Sequence, residues 1–369
     1  MSPPEPTGRP RPDHLGDERD EELEELLLAL LAIPSPTGEE RALADHCAGL
    51  LGACAGLTVT RLGNGLVALP PPDGRPTLAL VGHLDTVPRA GAALPARRGG
   101  EIWGRGASDM KSGLACLLLL ARRLPPAAGP FRRVHVLYDR EEGPYADNGL
   151  EPLLQAVPDL QTLDCALVLE PTNGALQLGA LGSLHVGLRV RGTAAHSARP
   201  WLGTSAITRA LPLLADLGQL PPRRVEVEGL GYHETTTVTL LQAGQTRNVV
   251  PDLLEANVNV RFAPGRTPEE AFAELEARVA GRAELTLRDR SPAASPASHH
   301  PLLEGLRRCG GLTVEPKQAW TDVARFAARG IAAANFGPGD PELAHRDDER
   351  IACDRLADHA RILLEFCRG

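Results

Sequence analysis

The chain has 369 residues, with 39 Lys plus Arg against 47 Asp plus Glu and a formal net charge of −8. The length suits one large domain or two ordinary ones with ample core. The acidic balance argues against a nucleic-acid or anionic-membrane binder, which would need a basic face, and no run of about 18 apolar residues suggests a membrane span.

Only Lys111 and Lys317 are lysines, so the remaining basic residues are arginines, and Gly (38) and Pro (33) are abundant while Phe, Trp and Tyr are scarce. Such a bias makes a single Arg, Gly or Pro weak evidence and a surviving Lys, His or Asn stronger evidence. The seven cysteines are an odd number with no CxxC pair, which reads as reduced thiols in a cytoplasmic protein. No signal-like apolar stretch opens the chain, and residues 1–17 read as a disordered, proline-rich tail.

In chain order, acidic residues from Asp20 run into LEELLLALLAI, an amphipathic helix stopped by Pro34. A second helix is expected over Glu39 to Leu51. LTVTRL and VALP could pair as strands, and TLALVGH reads as a buried strand. SGLACLLLLARRL is a helix, and RRVHVLYD and DCALVLE are further buried strands. This alternation predicts an α/β fold built on a mostly parallel sheet. After Leu181 the pattern changes to β-α-β-β-α-β, the order of a split βαβ (ferredoxin-like) sandwich. The expected organisation is a larger domain over 18–187 and 294–369, interrupted by a smaller one over 188–293.

Polar clusters follow the predicted core strands, at the ends where open α/β sheets place their sites. In GHLDTVP, Asp85 lies two residues after His83, close enough to accept a hydrogen bond from an imidazole whose other nitrogen binds a metal. A capping pair is the alternative. Asp109, in GRGASDMKSG, is either a helix N-cap or a ligand. Glu141 and Glu142 are adjacent carboxylates whose repulsion calls for a cation or proton, unless they form a solvated turn. Glu170 ends a buried strand, and His345 lies in GPGDPELAHRDDER. Mixed His and carboxylate ligands suit zinc, and paired metals suit hydrolysis. No nucleophilic serine motif, Walker loop or dinucleotide fingerprint competes.

As an ordered set, GHLDTVP, GRGASDMKSG, EEG, LEPTNG and AHRDDE resemble the dizinc aminoacylase and acetylornithine deacetylase family of metallopeptidases. VRGTAAHSARPWLGTSAI, VEVEGLGYHE, NVVPD, VNVRFAPGR and WTDVARFAARGIAAANFGPGDPELAH narrow the resemblance to its actinobacterial succinyl-diaminopimelate desuccinylases. The resemblance implies two zinc ions per chain, with cobalt able to substitute. His83 and Glu170 would hold one ion, Glu142 and His345 the other, and Asp109 would bridge. Glu141 would be the general base and Asp85 the orienter of His83. His196 would reach a partner subunit's site to stabilise the oxyanion. Asn248, Arg261, Thr321 and Arg325 would contact substrate. The implied reaction is hydrolysis of N-succinyl-LL-2,6-diaminoheptanedioate, a small dicarboxylate N-acyl amino acid. The alternatives are acetylornithine or acetyl-lysine deacetylation and metallo-carboxypeptidase activity. The inserted domain would serve as lid and homodimer interface, with no nucleic-acid or membrane partner. RDDE after His345 departs from the Asn-Glu pair of many members, which leaves the surroundings of His345 open.

Overall fold

The computed structural model describes residues 17–88 and 94–369. The tail expected over 1–17 lies outside these residues, apart from Asp17, which opens a helix.

Helix α1 (Asp17–Leu31) buries Leu23, Leu26, Leu27, Leu30 and Leu31, spaced at three and four residues along one face. Helix α2 (Arg41–Gly52) follows. Strands β1 (Thr58–Leu62) and β2 (Gly65–Leu69) form the expected antiparallel pair. Then come β3 (Thr77–His83), helix α3 (Lys111–Arg123), β4 (Arg132–Tyr138), β5 (Cys165–Pro171) and β6 (Leu176–Leu178). β3, β4 and β5 are buried along their whole length, as parallel strands covered on both faces must be.

The insert contains β7 (Gly182–Arg191), α4 (Ala206–Gly218), β8 (Arg223–Val227), β9 (Leu230–Ala243), β10 (Leu253–Phe262), α5 (Pro268–Val279) and β11 (Glu284–Ser291). β12 (Val314–Pro316), β13 (Ala332–Gly337) and α6 (Cys353–Arg368) complete the labelled elements.

The large sheet has eight strands in the order β1-β2-β4-β3-β5-β13-β6-β12. Its centre, β4-β3-β5-β13, is parallel. The leucines of α1, α3 and α6 cover one face, and Leu150, Leu153, Leu154 and Phe326 cover the other. Truncating one such buried leucine to alanine costs about 2–5 kcal/mol.

The second sheet, β8-β9-β10-β7-β11, is antiparallel and packs α4 and α5 on one side. Ser205 and Thr267 cap these helices, Thr267 in a capping box with Glu270. The α/β class and inserted split βαβ sheet are therefore as expected, with two local differences. β8 was not anticipated, because RRVEV is a charged, mostly exposed edge strand without a clear apolar alternation. β7 begins at Gly182, so the expected boundary at 188 falls inside a strand whose first half is buried like core. No helix among the described residues is long and apolar enough to cross a membrane, and all seven cysteines are free thiols.

Candidate active site

β3 carries His83 to the C-terminal edge of the sheet, where it is almost fully buried. Its Nδ1 lies 2.9 Å from the main-chain oxygen of Asp85 and 3.5 Å from that residue's carboxylate. The orienting contact expected from the Asp85 side chain is thus made mainly by its backbone. A donor Nδ1–H leaves the Nε2 lone pair facing Asp109 Oδ1 at 3.2 Å and Glu170 Oε1 at 3.6 Å. The Asp85 carboxylate acts elsewhere. It accepts the backbone N–H of Glu141 (2.9 Å) and of Glu142 (3.0 Å), plus the Thr37 hydroxyl (3.0 Å), and so shapes the acidic turn after β4.

Asp109 is not the helix cap that its position allowed. Met110 occupies the cap of α3, without a side-chain cap hydrogen bond. Instead Asp109 splits its oxygens, Oδ1 toward His83 and Oδ2 toward His345 Nε2 at 3.5 Å, as a bridging carboxylate would. His345 Nε2 also lies 2.8 Å from Glu142 Oε1. α3 approaches because residue 113 is glycine: a Cβ there would sit 2.5 Å from the Leu169 carbonyl oxygen, one residue before Glu170. Two sets, His83-Asp109-Glu142 and His83-Glu141-Glu170, offer ligand atoms within 4.8 Å of one another. The five expected ligands and the expected base therefore converge.

The titration behaviour records crowding. Burial pushes Glu170 up to about 8, and the charge of Asp109 adds to it. Burial followed by the charge of Glu170 raises Glu141 well above the carboxylate range. Burial alone would lower His83, but hydrogen bonds to Asp109 and Asp85 hold it well above the ordinary range. Hydrogen bonds to Asp109 and Glu142 raise His345 to about 10. Carboxylates that resist ionisation beside imidazoles that favour it mark a site short of positive charge.

A cleft of about 400 Å³ opens over these groups. The insert contributes His185, Arg261 and Asp289 to its wall, and the body contributes Tyr145, Lys317, Trp320 and Thr321. Arg261 donates through Nε to Asn259 Oδ1 at 3.0 Å, and its terminal nitrogens meet no acceptor among the described residues. Thr321 has a buried hydroxyl without a partner among the described residues.

Arg325 departs from its expected substrate contact. It is buried, with Nε on Asp322 (2.7 Å) and its terminal nitrogens on Glu151 (3.2 Å) and the Tyr145 carbonyl (2.5 Å). With every nitrogen engaged it stiffens the cleft wall from behind, its guanidinium stacked 3.9 Å from the Tyr145 ring. His196 and Asn248 are exposed and do not line the cleft of their own chain. They lie together on a small ribbon, in which His196 pairs with Val249 and the Asn248 carbonyl accepts from Ser197 N–H at 2.9 Å.

Sequence reasoning missed two supports. Glu349, the last residue of RDDE, is buried and accepts the backbone N–H of Ser108 and of Asp109, each at 2.9 Å. Asp322, at 0% exposure, gathers Tyr138, Asn148 and Arg325. Glu349 lies within a charged run and Asp322 within a mixed segment, so only the fold singles them out.

Residues 79–369 match the family described as Peptidase family M20/M25/M40. A Mycobacterium tuberculosis protein described as a candidate succinyl-diaminopimelate desuccinylase is 38% identical over 347 residues, covering 94% of this chain and 98% of that protein. The succinyl-diaminopimelate desuccinylase of Corynebacterium glutamicum is 35% identical, covering 91% of this chain and 94% of its own. An acetylornithine deacetylase from Myxococcus xanthus is 31% identical over 80% of this chain and 82% of its own. Among solved structures, a Staphylococcus aureus tripeptidase superposes with a TM-score of 0.77 at 22% identity, covering 95% of this chain and 98% of that one. This last likeness is one of fold.

Proposed function

This chain belongs to peptidase family M20/M25/M40, and from that premise we propose that it hydrolyses N-succinyl-LL-2,6-diaminoheptanedioate to succinate and LL-2,6-diaminoheptanedioate. The observation that carries the reading is the meeting of His83, Asp109, Glu142, Glu170 and His345 in one cleft with Arg261, whose terminal nitrogens no described residue pairs. The near-full-length similarity to two desuccinylases supports the succinyl group. Similarity to an acetylornithine deacetylase keeps an acetyl substrate as the second reading.

The donor set fits a metal pair. Glu170 Oε1 is buried without a hydrogen bond among the described residues, as a metal-ligand oxygen would be. In this reading His83 and Glu170 would hold one ion and Glu142 and His345 the other, with Asp109 offering an oxygen to each. Imidazole and carboxylate donors suit zinc, with cobalt able to substitute. When bound, the two ions supply Lewis acidity to the scissile carbonyl and acidify a water at neutral pH.

The chain's own residues do the rest. Glu141 accepts a proton from the attacking water and returns it to the leaving amine. Asp85 holds the Glu141 and Glu142 backbone, keeping the base and the adjacent ligand in register. Arg261 takes a substrate carboxylate through its free terminal nitrogens, and Thr321 offers its hydroxyl. His196 and Asn248, away from their own cleft, act on the cleft of a second copy, where His196 stabilises the oxyanion. A dimer through the 188–293 domain, which would also serve as a lid, is supported by apolar residues exposed there: Trp201 (75%), Leu211 (55%) and Leu240 (66%). The reaction is cytoplasmic in this reading, in keeping with free thiols.

Zinc-reconstituted protein should turn over the N-succinyl substrate at least about 10-fold faster, by kcat/KM, than N-acetylornithine, because one charge-assisted pair distinguishes them. A preference for the acetyl compound would overturn the assignment. Sedimentation should report a dimer.

A further inference from the structure

The two lysines share deep burial but differ in their surroundings. Lys111 Nζ donates to the carbonyls of Leu30 (3.1 Å) and Ile33 (2.7 Å), so it closes the C-terminal end of α1. Lys317, just after β12, is 5% exposed. Its Nζ donates to one acceptor among the described residues, the Pro171 carbonyl at 3.0 Å, and it makes no ion pair with a described carboxylate. Yet it lines the cleft that contains Asp109, Glu141, Glu142 and Glu170.

An ammonium has three donors, so two have no acceptor among the described residues, on a side chain that lines the cleft. A buried charge left in that condition is costly unless a ligand completes it. Burial pushes Lys317 below the usual lysine range, while the charges of Glu170, Asp109 and Glu141 act in the opposite direction. Neutralising the acidic cluster does not account for it. Asp109, Glu141, Glu142 and Glu170 carry four formal negative charges, and two divalent ions would supply four positive ones. Lys317 and Arg261 then outnumber the one remaining carboxylate of the lining, Asp289, with one cation on the body and the other on the insert.

We propose that Lys317 is a specificity-determining residue whose two free N–H donors receive a carboxylate of the substrate. The proposal rests on the reading that this cleft hydrolyses an N-acyl amino acid. It adds a second carboxylate receptor opposite Arg261, so that an amide bearing carboxylates in both halves is held from both domains. The carboxylate can belong to the acyl half or to the amine half, and the test separates them.

Lys317→Met, which keeps length and removes charge, should raise KM about 10-fold or more through loss of a charge-assisted hydrogen bond, with kcat and zinc per chain close to wild type. Calorimetry assigns the half. Weakened succinate binding places the carboxylate in the acyl half, and weakened LL-2,6-diaminoheptanedioate binding places it in the amine half. Unchanged KM with lower kcat or zinc content would overturn the proposal, because Lys317 would then act through Pro171 on the Glu170 strand.

If Lys317→Met does not fold, the wild-type protein still decides. Lysine labelled with 13C at Cε gives two side-chain signals, assigned through Lys111→Met. Saturating with each product should shift the Lys317 signal in one case and leave Lys111 in place. No shift with either product would overturn the proposal. Should wild type prefer N-acetylornithine, the proposed substrate fails, and the KM of Lys317→Met on that substrate's own carboxylate still tests Lys317.

Discussion

Glu349 accepts a 2.9 Å hydrogen bond from the backbone N–H of Asp109, a residue 240 positions earlier in the chain. It takes a second from Ser108 and is reached by Arg105 at 3.1 Å. A buried carboxylate thereby fixes the turn that presents the proposed bridging ligand, and the RDDE segment supplies it. Glu349→Gln retains the volume but replaces one acceptor oxygen with a donor amide. Zinc affinity should fall about 10- to 100-fold, the usual range for a residue that supports a ligand, as measured by competition with a chromophoric chelator. The far-ultraviolet dichroism should stay unchanged.

Glu141 and Glu142 are neighbours with different surroundings. Glu142 meets His345 at 2.8 Å, whereas Glu141 groups with His83 and Glu170. Glu141→Ala should retain two zinc ions and lose at least about 100-fold in kcat, as expected for a general base. Glu142→Ala should lose zinc. Metal analysis of the two purified variants alongside kcat distinguishes them, and equal zinc loss would reverse the assignment.

Arg325 should behave as a structural residue. Removing it leaves Asp322 buried at 0% exposure without its cationic partner, and breaking such a pair costs about 3–5 kcal/mol. Arg325→Met should therefore lower the denaturation midpoint markedly. At temperatures where the variant is folded, KM should change less than in Arg261→Met, which removes a cation with free donors from the cleft. Chemical denaturation and steady-state kinetics on both variants check this.

His359 contributes to the pH dependence. It is buried on α6 against Phe336, with ring centroids 4.2 Å apart and no hydrogen-bond partner for either nitrogen among the described residues. Burial pushes its pKa down to about 3, against about 6.5 in an unfolded chain. Above about pH 6.5 both states are neutral and no penalty arises. As pH falls from about 6.5 toward 3 the unfolded state binds the extra proton, and stability declines by up to about 1.4 kcal/mol per pH unit. His359→Leu should remove this contribution. The variant should gain stability relative to wild type at pH 5 but not at pH 8, as thermal unfolding at the two values would reveal.

The strand ends were legible because their signal is local. A run such as TLALVGH or CALVLE is apolar until it leaves the sheet, and the first polar side chain then stands at the edge where parallel strands open. His83, Glu141, Glu142 and Glu170 could therefore be picked out, whereas Asp109, in a turn before α3, and His345, in a loop beyond the last core strand, stood out through their motifs; the β-α-β-β-α-β order of the insert followed from changes in periodicity. The edge strand Arg223–Val227 escaped because an exposed, arginine-rich segment has no buried face to pattern.

What the sequence by itself determined is the α/β class, the order of the elements and the polar residues at the strand ends, since each depends on a window of a few residues and on which side chains avoid water. Only the tertiary structure decided how those groups are used. It gave the Asp85 carboxylate to the Glu141–Glu142 backbone, set Glu349 behind Asp109, enclosed Arg325 with Asp322 and left Lys317 facing the cleft while Lys111 closed a helix. These outcomes depend on which donors and acceptors meet once distant loops converge. A buried polar group must take whatever partner the packed fold brings within about 3 Å, and neither residue type nor local spacing specifies that partner.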